Sequence, residues 1–417
     1  MTAASTVKAI GVDERGIPMV DPAFVPQVVG GDVDWRGQLD ALREAFPLFR
    51  VGEDKTIWVT RHETARELFA DGETFYEPNW VQQFGSHDAL LDGSGFKPTD
   101  DFDAVAGAHR QVRLRRAVME HFTPKYVKTW EPRMHEVARE LLARFSDRGE
   151  CDFVNEYSKY FFPYLSAQWL GAPKKDWDQL VQWQHEIFQL KPTTEGDRML
   201  HMSGQAMNSV LQYVSGLIAE KRVNPDDSFT SYAVHTTVDG TPLTEEEVRG
   251  IMTITVLGSA HTVTAHLGEI FRHLADHPEH QKLVAEDPDA IDALGEELLR
   301  VRSPFGHSRV VTKDIDFHGV QLHRGEQLFV MYSMVNRDPR CPGFDQVDVE
   351  RRPNPHLAFN YGPRRCIGLH WARFARNVAI EEWHKQIPSY RLGVDVTELT
   401  EQIYAGTGFP SLPLVWK

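Results

Sequence analysis

Phe359-Asn-Tyr-Gly-Pro-Arg-Arg-Cys-Ile-Gly368 is the stretch whose reading decides the fold of this chain. Its cysteine, Cys366, stands where a Gly-Pro-Arg-Arg loop turns into a helical pattern over residues 366–386. A sulfur there meets unsatisfied helix N–H groups and the positive end of the helix dipole, and both favour the thiolate. Arg364 and Arg365 add positive charge. Gly362 permits a tight turn, and Gly368 removes a side chain just beyond the sulfur, so a flat partner can approach closely. Taken alone, a single cysteine is more often a buried, inert group at a helix end. The residues around it decide between the two.

Upstream, residues 291–301 read as a helix, followed by β-like stretches at 309–312, 315–322 and 327–330. Further back, Thr244-Glu-Glu-Glu247 forms a capping box. It opens the longest helix, expected to run unbroken over 244–276 until His277-Pro278 stops it. At 1.5 Å per residue that helix spans roughly 50 Å. Its middle, 251–267, carries almost no charge and is expected to be buried. Helices are also expected at 35–46, 61–70, 177–188 and 203–221, with a strand at 56–60. Thr123-Pro124 supplies an N-cap and N1 proline for another, whose apolar stripe is Val137, Leu141, Leu142 and Phe145.

Residues 76–108 show no clear period and read as a long loop, either a lid or binding loop or a plain surface excursion. The opening residues, 1–34, read as an irregular arm laid over a single domain at 35–417. The whole is mainly α with small β-sheets.

The 417 residues carry 45 Lys+Arg against 60 Asp+Glu, a formal net charge of −15. So acidic a chain is a poor partner for nucleic acid, which needs a basic surface. No apolar run approaches the roughly 18 residues of a membrane span, and the start lacks a signal-peptide pattern. A cytoplasmic, bacterial protein with no membrane association is expected. Three scattered cysteines, Cys151, Cys341 and Cys366, make neither a disulfide framework nor a CxxC zinc site. Gly93-Ser-Gly95 and Gly406-Thr-Gly408 lack the third glycine of a dinucleotide fingerprint. There is no phosphate-binding GxxxxGK[ST] loop, no HExxH and no GxSxG.

Phe359-x-x-Gly362-x-Arg364-x-Cys366-x-Gly368 resembles the haem-binding signature of the cytochrome P450 family. Glu297-Leu-Leu-Arg300 matches that family's ExxR motif, and Val347-Asp-Val-Glu-Arg351 falls where the third member of its Glu–Arg–Arg cluster belongs. Gly258-Ser-Ala260 followed by His261-Thr262 resembles the oxygen-binding helix, and Pro355-His-Leu-Ala-Phe359 matches bacterial members. The resemblance runs from about Trp35 to the C-terminus. It implies a P450-like fold, with haem between the long oxygen-binding helix and the cysteine-loop helix.

By the same resemblance Cys366 is the axial ligand of a haem b iron, donating electrons that favour O–O cleavage. Gly368 and helix N–H groups tune the sulfur, and Phe359 packs beside the ligand loop. Arg364 and Arg309 are the expected propionate partners. Aligned on Phe122-Thr-Pro124, the family's His-x-x-x-Arg becomes Gln111-x-x-x-Arg115. His109 and Arg113 have the same spacing two residues earlier, but only Gln111 and Arg115 keep the distance to Phe122. Arg113 and Arg116 are read as solvated. Glu297, Arg300 and Arg351 form a buried structural network.

Thr262 is the expected proton donor toward dioxygen, its hydroxyl able to bond back to the Gly258 carbonyl. His261 departs from the acidic residue that most bacterial members carry before the threonine. It is either a proton relay or an ordinary helix residue. The expected substrate walls are Trp80, Val81, Phe84, Leu257, Ala260, Phe305 and the turn Thr407-Gly-Phe409, although each is also an ordinary core type.

The implied activity is hydroxylation of a hydrophobic terpenoid-, steroid- or aromatic-like molecule with O2 and two electrons. A ferredoxin and ferredoxin reductase would deliver the electrons, docking near Arg364, Arg365 and Arg373. The alternatives are a peroxide-driven or non-redox haem-thiolate enzyme, or a non-catalytic haem protein that binds a ligand.

Overall fold

The structure is a computed structural model, and it describes residues 9–25, 28–30, 33–76, 104–188, 196–303, 305–341, 343–344, 348–402 and 408–416. Its larger core is helical and organised by aromatic rings. Phe153 stacks on Phe271 with centroids 4.0 Å apart, and Trp383 meets Phe153 edge-on at 5.3 Å. Contacts of this geometry each add about 0.5–1.5 kcal/mol beyond area burial. They lock helix Thr262–Asp276, which opens on Thr262, to helix Leu369–Gln386, which follows the Cys366 turn.

The second layer is a seven-stranded mixed sheet. In spatial order its strands are Gly11–Val12, Pro18–Val20, Leu48–Val51, Ile57–Val59, Gln327–Met331, Gly306–Val311 and Phe75–Tyr76. Two of these strands come from the segment expected to be an irregular arm. Pro18–Val20 runs parallel to Leu48–Val51, and Val28–Gly30 pairs with Thr400–Gln402 near the other end of the chain. Strands of two or three residues have too little pattern of their own to be read. They exist because a neighbour offers them a ladder.

Two boundaries differ from expectation in ways that matter. The long helix is two helices, Glu245–Gly258 and Thr262–Asp276, separated at Ser259, Ala260 and His261. The cysteine-loop helix begins at Leu369, so Cys366 lies in the turn before it and not in its first turn. The N-cap position is taken by Gly368, which offers no side-chain cap. Residues 104–108 of the expected loop already belong to helix Ala104–Val118, while 77–103 lie outside the described residues.

Candidate active site

The loop that presents Cys366 is fixed by its backbone. Asn360 adopts φ +63° and accepts the Tyr361 N–H on its own Oδ1 at 2.7 Å. Gly362 follows at φ +69°, where a Cβ would sit 2.7 Å from the Phe69 carbonyl oxygen, so no larger residue fits. A single 3₁₀ turn, Gly362–Arg364, carries the chain round, and the Cys366 N–H then donates to the Phe359 carbonyl at 2.8 Å. Of the three cysteines only Cys366 is exposed. Burial pushes the Cys151 thiol far above its usual range and Cys341 up to about 11, aided by nearby carboxylates, so both stay protonated.

Glu297 is completely buried and receives five donors from the described residues. Arg300 Nε reaches it at 2.9 Å, Arg351 Nε at 3.2 Å, the Asp348 N–H at 2.9 Å and Asn354 Nδ2 at 3.0 Å. Burial alone raises the Glu297 pKa, but these donors and charges outweigh it and hold the carboxyl below its ordinary value. Arg300 also bonds the carbonyls of Asn336 (2.7 Å) and Phe344 (3.1 Å), and Asn336 Oδ1 takes the Leu357 N–H at 2.8 Å. The helix Pro288–Val301 is thereby tied to the segment that enters the cysteine loop.

At the break in the long helix, side-chain hydroxyls occupy backbone carbonyls. Ser259 Oγ donates to Val256 O at 2.8 Å, Thr262 Oγ1 to Gly258 O at 3.0 Å, and Thr264 Oγ1 is shared between Ala260 O and Ser158 O. Gln184 Nε2, from helix Trp177–Phe188, also bonds Val256 O at 2.7 Å. Side chains that back-bond within one turn loosen the ladder there, which accounts for the break.

Thr262 is exposed, Gly258 is open, and Ile254, one turn earlier again, is 51% exposed. These three residues at i, i+4 and i+8 make one stripe on a helix face. A Cβ at Gly258 would meet none of the described residues within 4 Å. Leu257 and Ala260, expected as pocket walls, are 3% and 5% exposed, and Leu257 packs in the helical core cluster. The same four-residue spacing from Thr262, applied to the sequence, would have selected Ile254.

The His261 ring faces away from this stripe. Its Nε2 lies 3.2 Å from the Gln184 carbonyl, and it packs on Phe188 with centroids 4.4 Å apart. Burial, and then the neighbouring His185, pull its pKa down to about 3, so the ring is neutral at pH 7.

The remaining candidates are distributed as follows. Arg309 is buried, donates to Ser308 O at 2.8 Å and stacks over Phe69. Arg364 lies over the Tyr76 ring at 5.1 Å. Gln111 and Arg115 sit one turn apart, half-buried, on Ala104–Val118. Arg113, expected to be solvated, is half-buried and joined to Glu247 of the capping box, with a further bond to Pro242 O at 3.2 Å. Arg116 is exposed and pairs with Asp239 at 2.8 Å. Phe409 is buried against the long helix, where a Cβ at Gly268 would lie 3.7 Å from its ring. Phe305 is half-buried, its carbonyl taking the Tyr332 N–H at 3.0 Å. Trp80, Val81, Phe84 and Thr407 lie outside the described residues. Arg373 is no free docking charge, since Glu296 engages it; Arg365 remains exposed on the cysteine loop.

The chain as a whole is similar to several proteins whose names state an activity. Erythromycin C-12 hydroxylase of Saccharopolyspora erythraea is 30% identical over 384 residues, covering 90% of this chain and 92% of its own length. Vitamin D(3) 25-hydroxylase of Pseudonocardia autotrophica is 30% identical over 86% of this chain and 88% of its own. A solved mutant of P450 EryK in complex with erythromycin B superposes with a TM-score of 0.76 at 28% identity, covering 91% of this chain and 95% of that one. The family description "Cytochrome P450" matches residues 42–382, and the chain belongs to the cytochrome P450 family of haem-thiolate monooxygenases.

Proposed function

We propose that this protein holds haem b through Cys366 and hydroxylates a hydrophobic small molecule in the bacterial cytoplasm, with electrons from a ferredoxin and its reductase. The substrate is terpenoid-, steroid- or aromatic-like, or of the larger macrolide kind named for two of its relatives. Among the described residues no helix is long and apolar enough to cross a membrane.

The residues present fit the cofactor. Arg364 keeps one guanidinium nitrogen, Nη2, buried with no hydrogen-bond acceptor among the described residues, as suits a cation facing a propionate. Cys366 is exposed at the end of a loop anchored by its own N–H. Gly258 leaves open space beside Thr262.

When bound, haem supplies dioxygen activation and the insertion of one oxygen atom into a C–H bond. The chain supplies the rest. Cys366 holds the iron, and Arg364, Arg309, Gln111 and Arg115 hold the propionates. Phe359 packs against the ligand loop while Gly368 clears space for the ring. Thr262 holds a proton on the open stripe, and Ile254 with Gly258 forms the apolar wall against which substrate lies. His261 is a neutral packing residue in this reading, because its ring nitrogen faces Gln184 and not the stripe.

The observation that carries the reading is the exposed Cys366 in its anchored loop. Its test is the absorption spectrum of the reduced protein under carbon monoxide. A strongly red-shifted Soret band is expected in wild type and its complete loss in Cys366→Ser; a band unchanged by the substitution rejects the assignment. Substrate-induced spectral shifts across a hydrophobic library, then turnover with surrogate ferredoxin and reductase, would define the substrate. Product formed only with peroxide would replace the ferredoxin route.

A further inference from the structure

Glu296, the residue beside the ExxR glutamate, belongs to a second, partly buried ionic cluster on the cysteine side of the molecule. Its carboxylate takes Arg376 Nη1 at 2.7 Å and Arg373 Nε at 3.0 Å, with Arg373 Nη2 on its other oxygen. His356 Nε2 lies 3.2 Å from Oε2. The His356 Nδ1 accepts the Ala358 N–H at 3.2 Å, which leaves Nε2 as the donor to Glu296. Arg376 is 1% exposed and continues to Asp292 at 2.7 Å. A Cβ at Gly295 would fall 2.4 Å from Arg376 Nε, so glycine is what lets that side chain cross the helix.

The partners of Glu296 converge on one short segment. Arg373 lies over the face of Phe359 at 4.8 Å, and the His356 ring is 5.9 Å from the same ring. The carbonyl of Phe359 is the acceptor for the Cys366 N–H. The carboxylate therefore clamps residues 356–359 from both ends, through His356 at one and through Arg373 on Phe359 at the other.

We propose that Glu296 is a positioning residue for the sulfur ligand, fixing the Phe359 carbonyl that holds Cys366 and balancing the two arginines beside it. This rests on the assignment of Cys366 as the haem ligand. Glu296→Gln keeps the shape but removes the charge. Arg373 and Arg376 are then under-compensated, and the Phe359 anchor loosens. A more positive surround favours the reduced iron, and a less firmly held thiolate donates less electron density. Both effects shift the reduction potential upward.

The experiment is a spectroelectrochemical titration of the holoenzyme in wild type, Glu296→Gln and Glu296→Asp, with the decay of the red-shifted carbon monoxide band followed in each. Expected are a positive shift of potential and a several-fold faster decay in Glu296→Gln, with partial recovery in Glu296→Asp, which restores the charge. If Glu296→Gln does not fold, Arg373→Gln, which leaves Arg376 and His356 on the carboxylate, is expected to speed the decay in the same way. A folded Glu296→Gln with wild-type potential and wild-type decay overturns the proposal. A wild type with no red-shifted band overturns the cysteine assignment itself, a failure visible before any variant is compared.

Discussion

The segments on either side of the cysteine loop are tied down by charge: Glu297 gathers Arg300 and Arg351, and Glu296 gathers Arg373 and Arg376. At Ser259, Ala260 and His261 the long helix is opened by neutral groups, the hydroxyls of Ser259 and Thr262 and the amide of Gln184. The difference follows from what each region has to do. A loop that presents one sulfur has a single correct geometry, and buried ion pairs fail sharply when any partner is lost. A hydroxyl that handles protons must be able to exchange one partner for another, and a neutral hydrogen bond is worth only about 0.5–1.5 kcal/mol net.

The contrast is broken most directly by removing one charge from the first region. Glu297→Gln leaves Arg300 and Arg351 facing a neutral amide, and a loss of about 3–5 kcal/mol of stability is expected. Ser259→Ala at the helix break is expected to cost about 1 kcal/mol. Chemical denaturation of both variants gives the ratio. Equal costs would mean that the two regions are not held by different means.

Thr262→Ala tests the other side. Loss of the hydroxyl should leave stability within about 1 kcal/mol of wild type, since only one exposed hydrogen bond disappears. Product formed per electron consumed should fall roughly 100-fold, the lower end of what a positioned proton donor contributes. Parallel assays of product and hydrogen peroxide with surrogate redox partners measure the split. Unchanged coupling would remove Thr262 from the proton route.

Much of this was legible in the sequence where spacing along the chain is itself the signal. The Phe359–Gly368 loop and Glu297-Leu-Leu-Arg300 are local patterns, and the bond from Thr262 to Gly258 follows from a hydroxyl in mid-helix. The family resemblance supplied the function; composition excluded only nucleic acid and membrane spans. The helix break was hidden because an uncharged run reads the same whether its carbonyls bond N–H groups or hydroxyls. Glu296 was overlooked because its partners His356, Arg373 and Arg376 are 60 to 80 residues away. Arg113 was misread for the same reason, its carboxylate partner being 134 residues distant.

Acid should sharpen the comparison, because the long helix carries imidazoles that fold neutral. His266, 6% exposed, has its pKa pulled down to about 3, first by burial and then by the charge of Arg376. A depressed histidine pKa makes its contribution complete above the unfolded value of 6.5; it is lost as pH falls from there toward 3. From this shift the loss at pH 5 is about 2 kcal/mol for this residue alone. Denaturation at pH 7.5 and pH 5 should show His266→Phe losing about that much less than wild type on acidification. An identical loss in both proteins would place the acid-sensitive groups elsewhere.

The smallest expected effect separates two neighbours on the same helix. Ile254 is half exposed on the stripe shared with Gly258 and Thr262, whereas Leu257 is packed in the helical core. Ile254→Ala removes apolar surface that a substrate would cover but that the folded protein leaves open. Stability should therefore move by no more than about 0.5 kcal/mol. Affinity for a hydrophobic ligand, read from the spectral shift on titration, should weaken by roughly 3- to 30-fold, as expected for a few lost methylene contacts. Leu257→Ala should do the reverse, costing about 2–5 kcal/mol of stability through a cavity in the core. Its ligand affinity, per folded molecule, should stay near wild type. If Leu257→Ala weakened binding and Ile254→Ala did not, the substrate would lie against the other face of the helix, and the stripe through Thr262 would not be the wall it meets.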